Sequence, residues 1–151
     1  MRRVGSRFNP IPFSTRKDLI CEKDKILQLC VTAVLRGEEA KARIQAVGQL
    51  LTIPPQNMEW ILLYVEVRFL FATQDGLLTL NEREFRLVSN NQVLQLTTAV
   101  TPYPPLNVSY FQGASGGGWI AGQVYVDDPY PLLVVGMDER GQGGFYFATQ
   151  P

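Results

Sequence analysis

The chain contains no histidine in its 151 residues. This removes Ser-His and Cys-His nucleophilic pairs and the imidazole ligands of most transition-metal sites. Carboxylates remain, and glycoside hydrolysis needs two of them roughly 5–10 Å apart across one cleft. Glu59 and Glu66 lie on one predicted strand, but their odd spacing points them to opposite faces. Glu38 and Glu39 open a predicted helix, where the helix dipole accounts for them. Asp127-Asp128 lacks the Asp-x-Asp-x-Asp-Gly spacing of a Ca²⁺ loop and reads as a strand-end turn before Pro129. Ser115-Gly116-Gly117-Gly118 lacks the Gly-Lys-Ser/Thr ending of a phosphate loop and reads as a flexible turn feeding a strand. Cys21 and Cys30 form neither a CxxC pair nor a zinc set. They read as unlinked thiols, with a disulfide across neighbouring strands as the alternative. These residues predict a chain without catalysis, metal or cofactor.

Two other groups of residues carry expectations. Glu59 opens the longest strand and is expected to bond loop amides or pair with Arg36, a structural role for both. If that pair is buried, losing one partner costs on the order of 3–5 kcal/mol. Tyr103, Tyr110 and Phe111 lie among Pro102, Pro104, Pro105 and Gly113, and Trp119 follows at the start of a strand. Aromatic side chains supply contact area at low entropic cost, and end loops are where sandwiches bind. These four residues are the expected contact site for a protein or carbohydrate partner. The competing expectation is that the rings fold back onto the sandwich edge.

The elements that must position them follow from apolar periodicity. Strands are predicted over Leu19–Cys21, Ile26–Leu35 with Leu27, Leu29, Val31 and Ala33 inward, and Met58–Phe71. In the last of these, Ile61, Leu63, Val65, Val67, Phe69 and Phe71 share one face. Trp60, Leu62, Tyr64, Glu66, Arg68 and Leu70 share the other, whose apolar first half needs a cover. A helix is predicted over 38–51, with Ala40, Ile44, Val47 and Leu51 as its apolar stripe and Pro54-Pro55 as its stop. Further strands are predicted at Phe85–Val88, Val93–Thr98, Gly117–Val126, Leu132–Val135 and Phe145–Ala148, with 99–116 as a loop. Seven to eight strands and one short helical insert predict an all-β fold, an immunoglobulin-like antiparallel β-sandwich over residues 9–149, preceded by a basic arm over 1–8.

Lysine plus arginine equals aspartate plus glutamate at 14 each, so the chain lacks the basic field that nucleic acid or an anionic membrane attracts. Arg2, Arg3, Arg7, Arg16 and Lys17 make the start locally basic, and a solvated arm accounts for them. No apolar run approaches the roughly 20 residues of a membrane span. Asn9, Pro10 and Ser14 stand where a signal peptide would need an apolar stretch. That predicts a cytoplasmic chain, or a piece whose export signal lies outside it.

Several stretches together resemble one family. They are Asn9-Pro10-Ile11-Pro12, Val34 to Ala40, Ile44, Pro54-Pro55 before Asn57 to Leu62, Phe85 to Val88, and Gly117 to Val124. In this order the chain resembles bacterial telokin-like, immunoglobulin-like secreted domains related to the mycobacterial immunoprotective extracellular protein. The resemblance implies an exported module at the cell envelope or outside the cell, and it brings no catalytic residues. It implies binding through end loops or, as the alternative, a structural or solubilising part of a larger envelope protein.

Overall fold

A computed structural model describes residues 4–21, 24–47, 53–97 and 101–151 of the chain. The strands are β1 (Lys17–Cys21), β2 (Lys25–Arg36), β3 (Met58–Ala72), β4 (Leu78–Asn81), β5 (Phe85–Ser89), β6 (Gln92–Gln95), β7 (Asn107–Tyr110), β8 (Ser115–Tyr125), β9 (Leu132–Val135) and β10 (Phe145–Ala148). One sheet has the order β1-β2-β3-β8, the second β10-β9-β5-β6, and β4 pairs with β7. The chain is thus an all-β, immunoglobulin-like antiparallel sandwich. Among the described residues it has ten strands rather than seven to eight. The additional pair is β4 and β7, and β7 lies inside the stretch expected to be a loop.

The core forms where the inner faces meet. Leu27, Leu29 and Val31 of β2 and Ile61, Leu63, Val65, Val67 and Phe69 of β3 pack against Phe85, Leu87, Leu133 and Phe147 of the second sheet. Each such side chain contributes about 1.5–3 kcal/mol of burial. Two β-bulges change the expected facing. The register of β2 with β3 shifts between Val31 and Ala33, so Ala33 stands opposite Tyr64 and Val34 takes the core side. It shifts again between Ile26 and Leu27, where Leu70 is the extra residue. Beyond that bulge Phe71 pairs with Ile26 and is 47% exposed, not buried with Phe69. The strict alternation read from the sequence therefore fails at Ala33 and at Phe71.

The helix α1 (Glu38–Gln45) covers the outer face of the first sheet. Its buried Ala40 and Ile44 pack on Trp60, Leu62 and Ala121, the apolar half-face that needed a cover. It is shorter than the stripe suggested. The Val47 N–H bonds to the Ile44 carbonyl, tightening the last turn, and the Val47 side chain is exposed. Of the described positions of the stripe, Ala40 and Ile44 reach the sheet and Val47 does not, and Leu51 lies outside the described residues. On the other flank, the Ile11 N–H bonds to the Tyr146 carbonyl and the Tyr146 N–H to that of Gly5. Residues 5–11 are thereby tied along β10.

Antiparallel pairing sends β1, the start of β2 and the end of β3 to one end of the sandwich, together with the start of β8. The end of β2, the start of β3 and the end of β8 lie at the other. We call the first the open end and the second the tied end.

Candidate functional site

At the tied end, Arg36 closes β2 and Glu59 opens β3, on neighbouring strands. Arg36 Nε donates to Glu59 Oε1 at 3.1 Å, and Nη2 lies 2.8 Å from the same oxygen. Nη1 donates to the Asp128 carbonyl at 2.7 Å and Nη2 to the Tyr125 carbonyl at 3.0 Å. One guanidinium thus binds three strands of the first sheet and the turn after β8. Asp128 carries the connection into the second sheet. Its buried carboxylate accepts from Ser89 Oγ at 2.8 Å, from the Asn90 N–H at 3.0 Å and from the Tyr130 N–H at 2.9 Å. Ser89 Oγ in turn accepts from the Tyr125 N–H. The Asp127-Asp128 turn is therefore a junction between the sheets. A sequence reading could find Arg36 and Glu59 from their positions at strand ends. It could not find Ser89 as the partner of Asp128, because only the folded sandwich brings the two together.

The four aromatic residues do not form one patch. The backbone beside Tyr103 is held to β8 by two hydrogen bonds: the Trp119 N–H donates to the Pro104 carbonyl at 2.9 Å and the Leu106 N–H to the Trp119 carbonyl at 3.0 Å. The Tyr103-Pro104 peptide is cis, and the Tyr103 ring is 90% exposed. Trp119 itself is half-buried on the outer face. Its ring meets Tyr64 edge-on with centroids 5.2 Å apart, and the Arg43 guanidinium of α1 stands 5.7 Å from its centroid.

Tyr110 belongs to β7, not to a loop, and its ring packs against the main core. Burial raises the pKa of its phenol above the ordinary value, with Tyr64 adding to the effect. Phe111 follows at the open end and is 59% exposed. Its turn is pinned to β3: the Gly113 N–H donates to the Phe69 carbonyl at 2.7 Å and the Phe69 N–H to the Ala114 carbonyl at 3.0 Å. The Ala72 N–H donates to Gln112 Oε1 at 3.1 Å.

The glycine run beside these rings is not a flexible turn. Ser115 to Gly118 are the first residues of β8, paired with Arg68 to Val65. Gly118 must be glycine because a Cβ there would lie 2.4 Å from the Leu106 nitrogen. The bare backbone lets the segment that carries Tyr103 cross β8 closely.

Glu66 meets Arg16 at 3.5 Å in an exposed pair, which contributes little. Cys30 is a buried free thiol, and burial first and the Glu66 charge second push its pKa up. The register places Cys21 opposite Lys25, five residues along β2 from Cys30, well beyond the reach of a disulfide. Among the described residues, no group of three or more His, Cys, Asp or Glu side chains could hold a metal ion.

No family model matches the chain, and no curated protein matches it in sequence. Solved structures do match in fold. MPT63, a secreted protein from Mycobacterium tuberculosis, superposes with a TM-score of 0.60 at 12% identity, over 92% of this chain and 97% of that one. The yjhA protein of Bacillus subtilis does so with a TM-score of 0.56 at 10% identity, over 93% and 99%. A Bacillus subtilis protein described as a lipoprotein, ycdA, has a TM-score of 0.53 at 13% identity. The match covers 91% of this chain but 39% of ycdA. The kinship is one of fold. Among the described residues no helix is long and apolar enough to cross a membrane.

Proposed function

We propose that this chain is a non-catalytic, exported β-sandwich module that binds a protein or carbohydrate partner through Tyr103 and Phe111. It sits at the cell envelope or outside the cell, alongside the telokin-like secreted domains it resembles. The observation that carries the reading is how these rings are presented. Each is more than half exposed, and each stands on backbone pinned by hydrogen bonds to a core strand. An aromatic ring held in place before binding loses little freedom on contact. Tyr110 and Trp119 are left out of the contact site, because their rings are already packed against the sandwich. The secreted and lipoprotein descriptions of MPT63 and ycdA support export. The engagement of Glu59 by Arg36 and of Glu66 by Arg16 supports a role without catalysis.

The test compares the wild type with Tyr103→Ala and Phe111→Ala on a glycan array and on an array of purified envelope proteins. Binding that both substitutions abolish, with the unfolding midpoint unchanged, supports the reading. Binding indifferent to both, or none on either array, contradicts it and favours a structural module without a ligand. The packing of Tyr110 and Trp119 is what favours that second reading.

A further inference from the structure

At the open end the two sheets do not meet fully. A cavity of about 230 Å³ lies between them. The first sheet lines it with Leu19, Ile20, Leu27 and Leu29, β4 with Leu80, and the second sheet with Val135 and Phe145. Among the described residues that line it, none has a charged or hydrogen-bonding side chain. A water molecule needs two to four polar partners, so such a space does not hold water well, and an apolar cavity of roughly 150 Å³ already takes benzene. One wall is bare backbone, at Gly136 and Gly144. Gly144 has φ 86°, and a Cβ there would stand 2.8 Å from the Val135 carbonyl oxygen.

A lysine lies near two of the lining residues in the strand register, although it is not itself part of the lining. Lys17 stands opposite Leu29 in the β1–β2 register and two residues before Leu19. It therefore shares their inner face, at the exposed margin of the edge strand. Its acidic neighbour Asp18 faces the other way and is engaged by Gln28 Nε2 at 2.7 Å.

We infer that this slot binds the chain of a free fatty carboxylate, with the hydrocarbon among Leu19, Leu27, Leu29 and Leu80 and the carboxylate on Lys17. The site is separate from Tyr103 and Phe111 and does not depend on their role. The experiment follows methyl NMR of the whole chain during titration with decanoate and with decanol. Saturable shifts are expected at the leucine methyls of the slot, with decanoate binding at least fivefold tighter than decanol. Lys17→Gln should erase that difference, and Leu80→Phe, which fills the space, should weaken both at least tenfold. Should Leu80→Phe fail to fold, a doxyl-labelled fatty acid added to wild type reads the same point, by broadening the Leu27 and Leu29 methyls. Shifts confined to the surface residues Phe71 and Phe111, or no saturation, would overturn the site. Equal binding of decanoate and decanol, or binding to anionic phospholipid vesicles without binding decanoate, would overturn the choice of ligand.

Discussion

The two ends of the first sheet are built on opposite plans. At the tied end, Arg36 binds Glu59 and two carbonyls, and Asp128 carries that network across to Ser89 and Asn90. Helix α1 covers the outer face there, over Trp60 and Leu62. At the open end the sheets part around an apolar cavity. The outer face there carries a cross-strand row, Ile20 opposite Ile26 opposite Phe71. Ile20 and Phe71 are exposed, as are Leu70 and Phe111. The contrast separates two tasks within one sheet: polar links and a helix hold the tied end together, while the open end presents apolar surface.

The largest effect should come from Arg36→Ala. It strands Glu59 and the Tyr125 and Asp128 carbonyls together, and the pair is only about three-quarters buried, so the loss should be about 3 kcal/mol. Denaturant unfolding with an unchanged slope would read it. A shift below about 1 kcal/mol would mean that the tied end is not tied by this network.

Tyr110 and Phe111 divide the contrast more finely. They are neighbours in sequence, yet Tyr110 packs on the core and Phe111 does not. Tyr110→Ala should cost about 2 kcal/mol, less than a fully buried ring. Phe111→Ala and Tyr103→Ala should stay within about 0.5 kcal/mol of wild type. Equal losses for the two neighbours would return Phe111 to the core and remove it as a contact residue.

A smaller effect concerns pH. Cys30 and Tyr110 both have raised pKa values, so on the alkaline side the native chain keeps protons that the unfolded chain has released. Stability should be insensitive to these groups below their ordinary pKa values and should fall as pH rises from those values through the raised ones. Cys30→Ala would flatten the thiol's part of that decline. Native Cys30 should also react slowly with a thiol reagent near neutral pH, because the thiolate is the nucleophile. Rapid labelling of the folded chain would contradict its burial.

Much of this architecture is legible in the residues. The long alternation from Met58, the need for a cover over Trp60 and Leu62, and the helix-forming run at Glu38 lead to β3 and α1 directly. The short strands are harder. Leu78-Thr79-Leu80-Asn81 and Asn107-Val108-Ser109-Tyr110 do alternate, but four residues among prolines and polar turns give a weak period. The bulges at Thr32 and Leu70 cannot be read from local sequence, because each is a mismatch between two strands. Hence Phe71 looks like a core residue in sequence and is a surface residue in the fold. The Arg36–Glu59 pair follows from strand ends, while its continuation through Asp128 to Ser89 exists only when two sheets stack. The aromatic residues between Tyr103 and Trp119 are visible as a group, but their division into packed and exposed rings depends on β7 and on the close crossing at Gly118.

The claim that one end is held and the other is available is tested most directly by native-state amide hydrogen exchange along β3. The amides of Ile61 and Leu62 should exchange only with global unfolding, at the full free energy of the chain. Those of Phe71 and Ala72 should exchange through local openings at least tenfold faster, and Arg36→Ala should shrink the gap by lowering protection at the tied end. Equal protection along the whole strand, or faster exchange at Ile61 than at Phe71, would contradict the account.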